Sequence, residues 1–184
     1  MIAGAIFYKV VMQTIVSVDG FVATEDDRVG PLFDRSGAGD TTLYENGPLV
    51  SAQSRDYYRP MLDAIGALVV GRHVFAMTGG SGGKAPAGDH CVVVSHRPAP
   101  ERRDPTAPFH FVDDVTDAVR LARELAGDRT VSIAAGDVGG QIFAAGLVDE
   151  VALDVVPVVF DRGKRYFGPL QGDRVLHPRF RVRR

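Results

Sequence analysis

The sequence predicts an α/β fold: a three-layer α/β/α domain with a mostly parallel central sheet and an antiparallel C-terminal edge. Three observations carry this. Short β-branched runs alternate with amphipathic stretches, glycines or polar caps separate them, and the alternation stops after Val159.

The first strand is Val10 to Val18, apolar enough to be covered on both faces, and Asp19-Gly20 ends it. From Ala23 to Gly47 the chain is polar and glycine-rich, a length of loop that in a small domain points to the substrate side of a cleft. A helix is expected from Ser51 towards Ile65, interrupted or restarted by Pro60 and stopped by Gly66. Ala67 to Val70 follows as a buried strand, His73 to Met77 as a helix, and Cys91 to Ser95 and Phe109 to Val112 as strands.

Val115, Ala118, Val119, Ala122, Leu125 and Ala126 recur at helical spacing, with Asp113 or Asp114 as the cap and Gly127 as the stop. Thr130 to Ala134 reads as a strand, Gln141 to Ala145 as a helix stopped by Gly146, and Val151 to Val159 as a long strand. Asp161-Arg162-Gly163-Lys164 is then a hairpin turn into a short strand at Tyr166-Phe167. Phe180 to Arg183 alternates like a half-exposed strand.

Composition limits what such a domain does. With 184 residues, 45% of them hydrophobic, one domain with a full core is expected. The formal net charge of −2 supplies no positive field for nucleic acid or an anionic membrane, and Lys9, Asp19, Arg72 and Asp154 interrupt every apolar stretch long enough to invite a membrane reading. The apolar N-terminal stretch, carrying Lys9 and Gln13, reads as the approach to a first strand rather than a signal peptide. Cys91 is the single cysteine, so no intrachain disulfide forms, and a reducing, cytoplasmic location is expected.

Ligands bind outside the carboxyl ends of parallel strands, which directs attention to three junctions. Val70-Gly71-Arg72-His73 joins a glycine, a fixed cation and an imidazole. Val94-Ser95-His96-Arg97 adds a hydroxyl and a second cation, and Ala134-Ala135-Gly136-Asp137-Val138-Gly139-Gly140 is small enough for a pyrophosphate to approach the backbone. Arg72 and Arg97 suit a nucleotide 2′-phosphate, although surface ion pairs and tight turns explain the same residues. Other motifs fail: no G-x-G-x-x-G follows the first strand, and Gly79 to Lys84 has Thr78 and Ala85 where a phosphate loop needs Gly and Ser or Thr. That segment reads as a mobile loop over the cleft, with Lys84 reaching for an anion. The histidines at 73, 90, 96, 110 and 177 make no metal-ligand spacing, so no metal is expected, and no Gly-x-Ser-x-Gly marks a hydrolase.

These residues resemble the reductase domain of the riboflavin-biosynthesis deaminase-reductase, within the dihydrofolate-reductase-like fold. The resemblance rests on Ser17-Val18-Asp19-Gly20-Phe21-Val22, on Val69 to Phe75, on Val93 to Pro98, and on Gly136 to Gln141 with Gly146 to Val151 leading to Val156-Pro157-Val158. It implies NADPH as cofactor, with Gly71, Arg72 and His73 at the 2′-phosphate side and Ser95, His96 and Arg97 at the adenine ribose. Ala135, Gly136, Asp137, Val138, Gly139 and Gly140 fall at the pyrophosphate, and the backbone near Ser17 and Val22 at the nicotinamide. It also implies a homodimer built through the C-terminal edge.

Two departures from the family matter. Ala134-Ala135-Gly136 stands where consecutive glycines are common, and no deaminase zinc signature is present, which reads as a stand-alone reductase-like domain.

The expected activity is hydride transfer from NADPH to a small heterocycle, imine or carbonyl. Asp19, ending strand one beside the expected nicotinamide, is the candidate proton donor; Tyr57, Tyr58, Asp34 and Glu45 are further substrate-side candidates, and Asp149 and Glu150 read as fold determinants. A non-catalytic nucleotide-binding module and a flavin- or deazaflavin-dependent reductase are the alternatives.

Overall fold

A computed structural model describes residues 9–36, 39–44, 48–100 and 106–169. The elements in chain order are β1 (Val10–Ser17), β2 (Phe21–Ala23), α1 (Gly30–Ser36), β3 (Thr41–Thr42), β4 (Leu49–Val50), α2 (Ala52–Ala64), β5 (Ile65–Gly71) and α3 (Arg72–Met77). A 3-10 turn (Gly79–Gly83) precedes β6 (His90–Val94), β7 (Phe109–Val112), α4 (Val115–Ala126), β8 (Thr130–Ile133), α5 (Asp137–Ala144), β9 (Glu150–Val156) and β10 (Lys164–Arg165). Six strands form one sheet in the order β7-β6-β5-β8-β1-β9. Every pair in it is parallel, as the alternation of strand and helix requires.

The pleat sends alternate side chains to opposite faces, and both faces are covered. Met12, Val16, Val69, Val92 and Ile133 pack with Ala118, Val119 and Ala122 of α4 and Ile142 of α5. Val70, Cys91, Val93 and Phe109 form the second cluster, closed by Phe75 of α3. Asp114 caps α4 by accepting from the N–H groups of Thr116 and Asp117, and Gly127 at φ 63° stops it.

The antiparallel C-terminal element is present as β10, paired with β2 in a two-stranded sheet of its own. It occupies Lys164–Arg165 rather than Tyr166-Phe167; the expected strand at Phe180 to Arg183 lies outside the described residues.

Three other boundaries differ from expectation. Pro60 stays inside α2 without breaking it, because the helix is exposed there and water can take the carbonyl that loses its partner. Gly66 is not a helix stop but the second residue of β5, where a Cβ would lie 2.8 Å from Ala126 Cα, so the end of α4 packs directly on it. Helix α5 begins at Asp137 rather than Gln141, since packing outweighs the low helix propensity of Gly139 and Gly140.

Candidate functional site

The parallel topology places the carboxyl ends of β6, β5, β8 and β1 side by side on one edge. Ser95 to Arg97, Gly71 to His73, Ala134 to Gly140 and Ser17 therefore follow one another across three strand spacings, about 14 Å. The edge runs between two open cavities. One, of about 760 Å³ beside the ends of β1 and β9, is lined by Val16, Leu153, Val155 and Phe167 with Arg165 and the Ser17–Gly20 turn. The other, of about 740 Å³ at the ends of β6 and β7, is lined by Ser95, His96, Arg97 and Asp113 among others.

At the β1 end the polar groups hold one another. The Ser17 hydroxyl, buried, donates to Asp19 Oδ1 at 2.7 Å and accepts from the Phe21 N–H at 2.9 Å. Asp19 Oδ2 also accepts from the N–H groups of Phe160 at 3.1 Å and Asp161 at 2.7 Å. The Ser17 hydroxyl bond, with these backbone donors, holds the carboxyl below its ordinary value. The geometry makes Asp19 a clamp between the exit of β1 and the segment after β9. Val22 packs beside the main core cluster.

At the β5 and β6 ends the two arginines separate. Arg72 Nη1 donates to the Pro98 carbonyl at 3.0 Å, and its guanidinium lies 5.6 Å from the Phe111 ring centroid and 5.8 Å from that of Phe75. Ser95 is committed to its own turn, donating to the Arg97 carbonyl at 2.8 Å and accepting from the Arg97 N–H at 3.1 Å. His96 and Arg97 stand exposed, and Arg97 has no ion-pair partner among the described residues. His73 turns the other way along the edge: its Nε2 lies 3.1 Å from Asp27 Oδ1, which is also 3.7 Å from Lys164 Nζ of β10.

At the β8 end, Gly136 has φ 102° and ψ −156°, a conformation reserved for glycine, and donates its N–H to the Tyr166 carbonyl at 2.7 Å. Gly139 and Gly140 are small for packing: a Cβ would lie 2.5 Å from the Ala134 carbonyl oxygen at 139 and 1.8 Å from that of Phe167 at 140. Ala135 and Val138 pack against the core, and Asp137 stands exposed in the first turn of α5. Substituting Gly139 therefore perturbs the apo fold and does not isolate ligand approach.

Of the substrate-side candidates, Tyr58 is half-buried, and burial together with the Asp154 carboxylate pushes its hydroxyl pKa up. Gln13 Nε2 donates to Asp154 Oδ2 at 3.0 Å, so Tyr57 and Tyr58 face a polar patch of β1 and β9. Asp34 and Lys84 are exposed, and Glu45 lies outside the described residues. Asp27, Lys164, Arg165 and Tyr166 belong to this edge without having been singled out in the sequence; only the turn at Asp161 to Lys164 hinted that the chain returns there. Among the described residues no group of three or more His, Cys, Asp or Glu side chains could hold a metal ion, and no helix is long and apolar enough to cross a membrane.

No protein-family model and no curated protein matches the sequence. The architecture does: this is the fold of the dihydrofolate-reductase-like reductases. A riboflavin biosynthesis protein from Shewanella sp. PV-4 superposes with a TM-score of 0.67 at 16% identity, over 90% of this chain and 86% of its own. The Thermotoga maritima diaminohydroxyphosphoribosylaminopyrimidine deaminase/5-amino-6-(5-phosphoribosylamino)uracil reductase superposes at 0.59 and 12% identity, over 95% of this chain and 52% of its own, so the chain spans about half of that protein. Enterococcus faecalis dihydrofolate reductase, in complex with NADP(H), superposes at 0.54 and 13% identity over 86% of this chain and 76% of its own.

Proposed function

We propose that this chain is a cytoplasmic, homodimeric reductase that binds NADPH along the strand-end edge and reduces a small heterocyclic, imine or carbonyl substrate. The observation supporting this reading is the order of the edge: the exposed cation Arg97, then Arg72 and His73, then the glycine turn of α5, then the apolar cavity at β1. A dinucleotide has the same sequence of needs, from charged phosphate at one end to a flat ring at the other. The residues fit in kind. Gly136 leaves open space where a Cβ would stand, no side chain caps α5, and its first turn offers N–H groups to an anion, although Asp137 there opposes a negative ligand.

When bound, the dinucleotide supplies the hydride. The chain's own part is positional. Ser17 and Asp19 fix the β1 exit, Arg97 meets the 2′-phosphate, and Arg72 aligns the Pro98 turn beside it. Asp19 is committed to hydrogen bonds, so the proton comes from water or from the substrate-side loop.

The test is fluorescence titration of NADPH and NADH at one ionic strength, on the unmodified protein and on Arg97→Gln. The unmodified protein is expected to prefer NADPH about tenfold or more, as a charge-assisted contact of about 1.5–3 kcal/mol implies, and Arg97→Gln to narrow that preference. Equal affinities in the unmodified protein would refute the cofactor assignment. The clamped state of Asp19 favours one second reading, a nucleotide-binding module without turnover; NADPH binding with no oxidation across pterins, flavin precursors and small carbonyls would select it.

A further inference from the structure

The sheet edge carries an anion that belongs to the chain itself. Asp27 lies in the loop between β2 and α1, folded tightly by the Asp27 N–H donating to the Thr24 carbonyl at 3.1 Å and the Thr24 N–H donating to the Arg28 carbonyl at 3.0 Å. The fold holds Asp27 at φ 63°, in the left-handed region. From there its Oδ1 reaches His73 at the end of β5, at 3.1 Å, and Lys164 of β10, at 3.7 Å. The contact joins three elements that are far apart in sequence, and it sits over the middle of the edge, because β8 with its glycine turn runs between β5 and β1.

We propose that Asp27 is an internal counter-anion that an incoming phosphoryl group must displace, with Lys164 as the second arm of the anion site. This rests on the dinucleotide reading above and refines it. The position of Oδ1 shows that an oxyanion oxygen fits between Nε2 of His73 and Nζ of Lys164. The pair is also easily broken: the His73 side chain is 61% exposed, that of Lys164 53% and that of Asp27 31%, so solvent screens the attraction. The pyrophosphate of a dinucleotide carries two negative charges and more acceptor oxygens than one carboxylate, and outcompetes it for the Lys164 ammonium and the His73 ring nitrogen. The displaced loop, residues 24–28, then moves off the edge. The site lies inward of Arg72 and Arg97, so the group it takes is the pyrophosphate, shared by NADPH and NADH, and not the 2′-phosphate.

The test measures pyrophosphate, NADPH and NADH binding by calorimetry on the unmodified protein, Asp27→Asn, Lys164→Met and the double variant. Removing the competing charge in Asp27→Asn is expected to tighten pyrophosphate binding about two- to tenfold, the scale of one or two exposed ion pairs, and to tighten NADPH and NADH by the same factor. Lys164→Met is expected to weaken all three. Asp27→Asn binding pyrophosphate no better than the unmodified protein, with an unchanged melting temperature, would overturn the proposal. So would a gain for NADPH that NADH does not share, which would place the displaced group at the 2′-phosphate. If NADPH fails to bind at all while pyrophosphate still responds to Asp27→Asn, the anion site stands and the cofactor reading falls.

Discussion

Gly140→Ala sets two physical effects of opposite sign against each other. Position 140 lies inside α5, where alanine is favoured over glycine by about 1 kcal/mol from helix propensity alone. A Cβ there would sit 1.8 Å from the Phe167 carbonyl oxygen and 2.7 Å from its carbon, so the backbone at Phe167 must retreat. Overpacking of that kind costs about 1–3 kcal/mol. The retreat also pulls on the bond from the Gly136 N–H to the Tyr166 carbonyl, worth about 1 kcal/mol. The net loss is then about 1–3 kcal/mol, or about 2–12 °C in melting temperature for a chain of this length. Thermal unfolding followed by circular dichroism measures it, with Gly20→Ala as the reference: Gly20 has open space for a Cβ and only its φ of +89° to strain. A Gly140→Ala protein that melts at or above the unmodified temperature would refute the packing argument. The same result would return the glycine to a role in ligand approach.

Asp19→Asn is expected to lower stability at neutral pH and to matter less in acid. The lowered carboxyl pKa contributes stability above the ordinary value of 3.8, and that contribution is lost as the pH falls through the lowered folded value. The gap in denaturant midpoint between variant and parent should therefore be widest at neutral pH and narrow progressively as the pH falls below 3.8, and a gap independent of pH would refute the clamp. Cys91 is buried and its thiol is pushed up to about 12 by desolvation. It should resist a disulfide reagent in the native protein and react fully in denaturant, whereas rapid native labelling would show that β6 opens locally.

The sequence was most legible where local rules and topology agree. Helix α4 matches its expected bounds because Asp114 and Gly127 cap it whatever surrounds them. The alignment of Ser95, Gly71, Ala134 and Ser17 on one edge was foreseeable because parallel strands put all their carboxyl ends on the same side. The clamp at Asp19 was not legible because its partners are the backbone N–H groups of Phe160 and Asp161, which no residue type announces. That Gly139 and Gly140 also pack directly on Ala134 and Phe167 is a fact of tertiary structure that the residue types do not announce. The meeting of Asp27, His73 and Lys164 was invisible for the same reason.

Tyr166 gives the molecule a joint that can be taken apart. Its hydroxyl donates towards the carbonyls of Met12 on β1 and Ala152 on β9, its N–H donates to Gly20, and its carbonyl receives the Gly136 N–H. One residue thus fastens the two strands beside the cavity to both turns that frame the proposed cofactor. A cut in the exposed turn at Asp161 to Gly163 would leave these four bonds to be remade between separate pieces. Fragments divided there should reassemble through Tyr166 together with the β10–β2 pairing, so ligand binding could report on complementation between them.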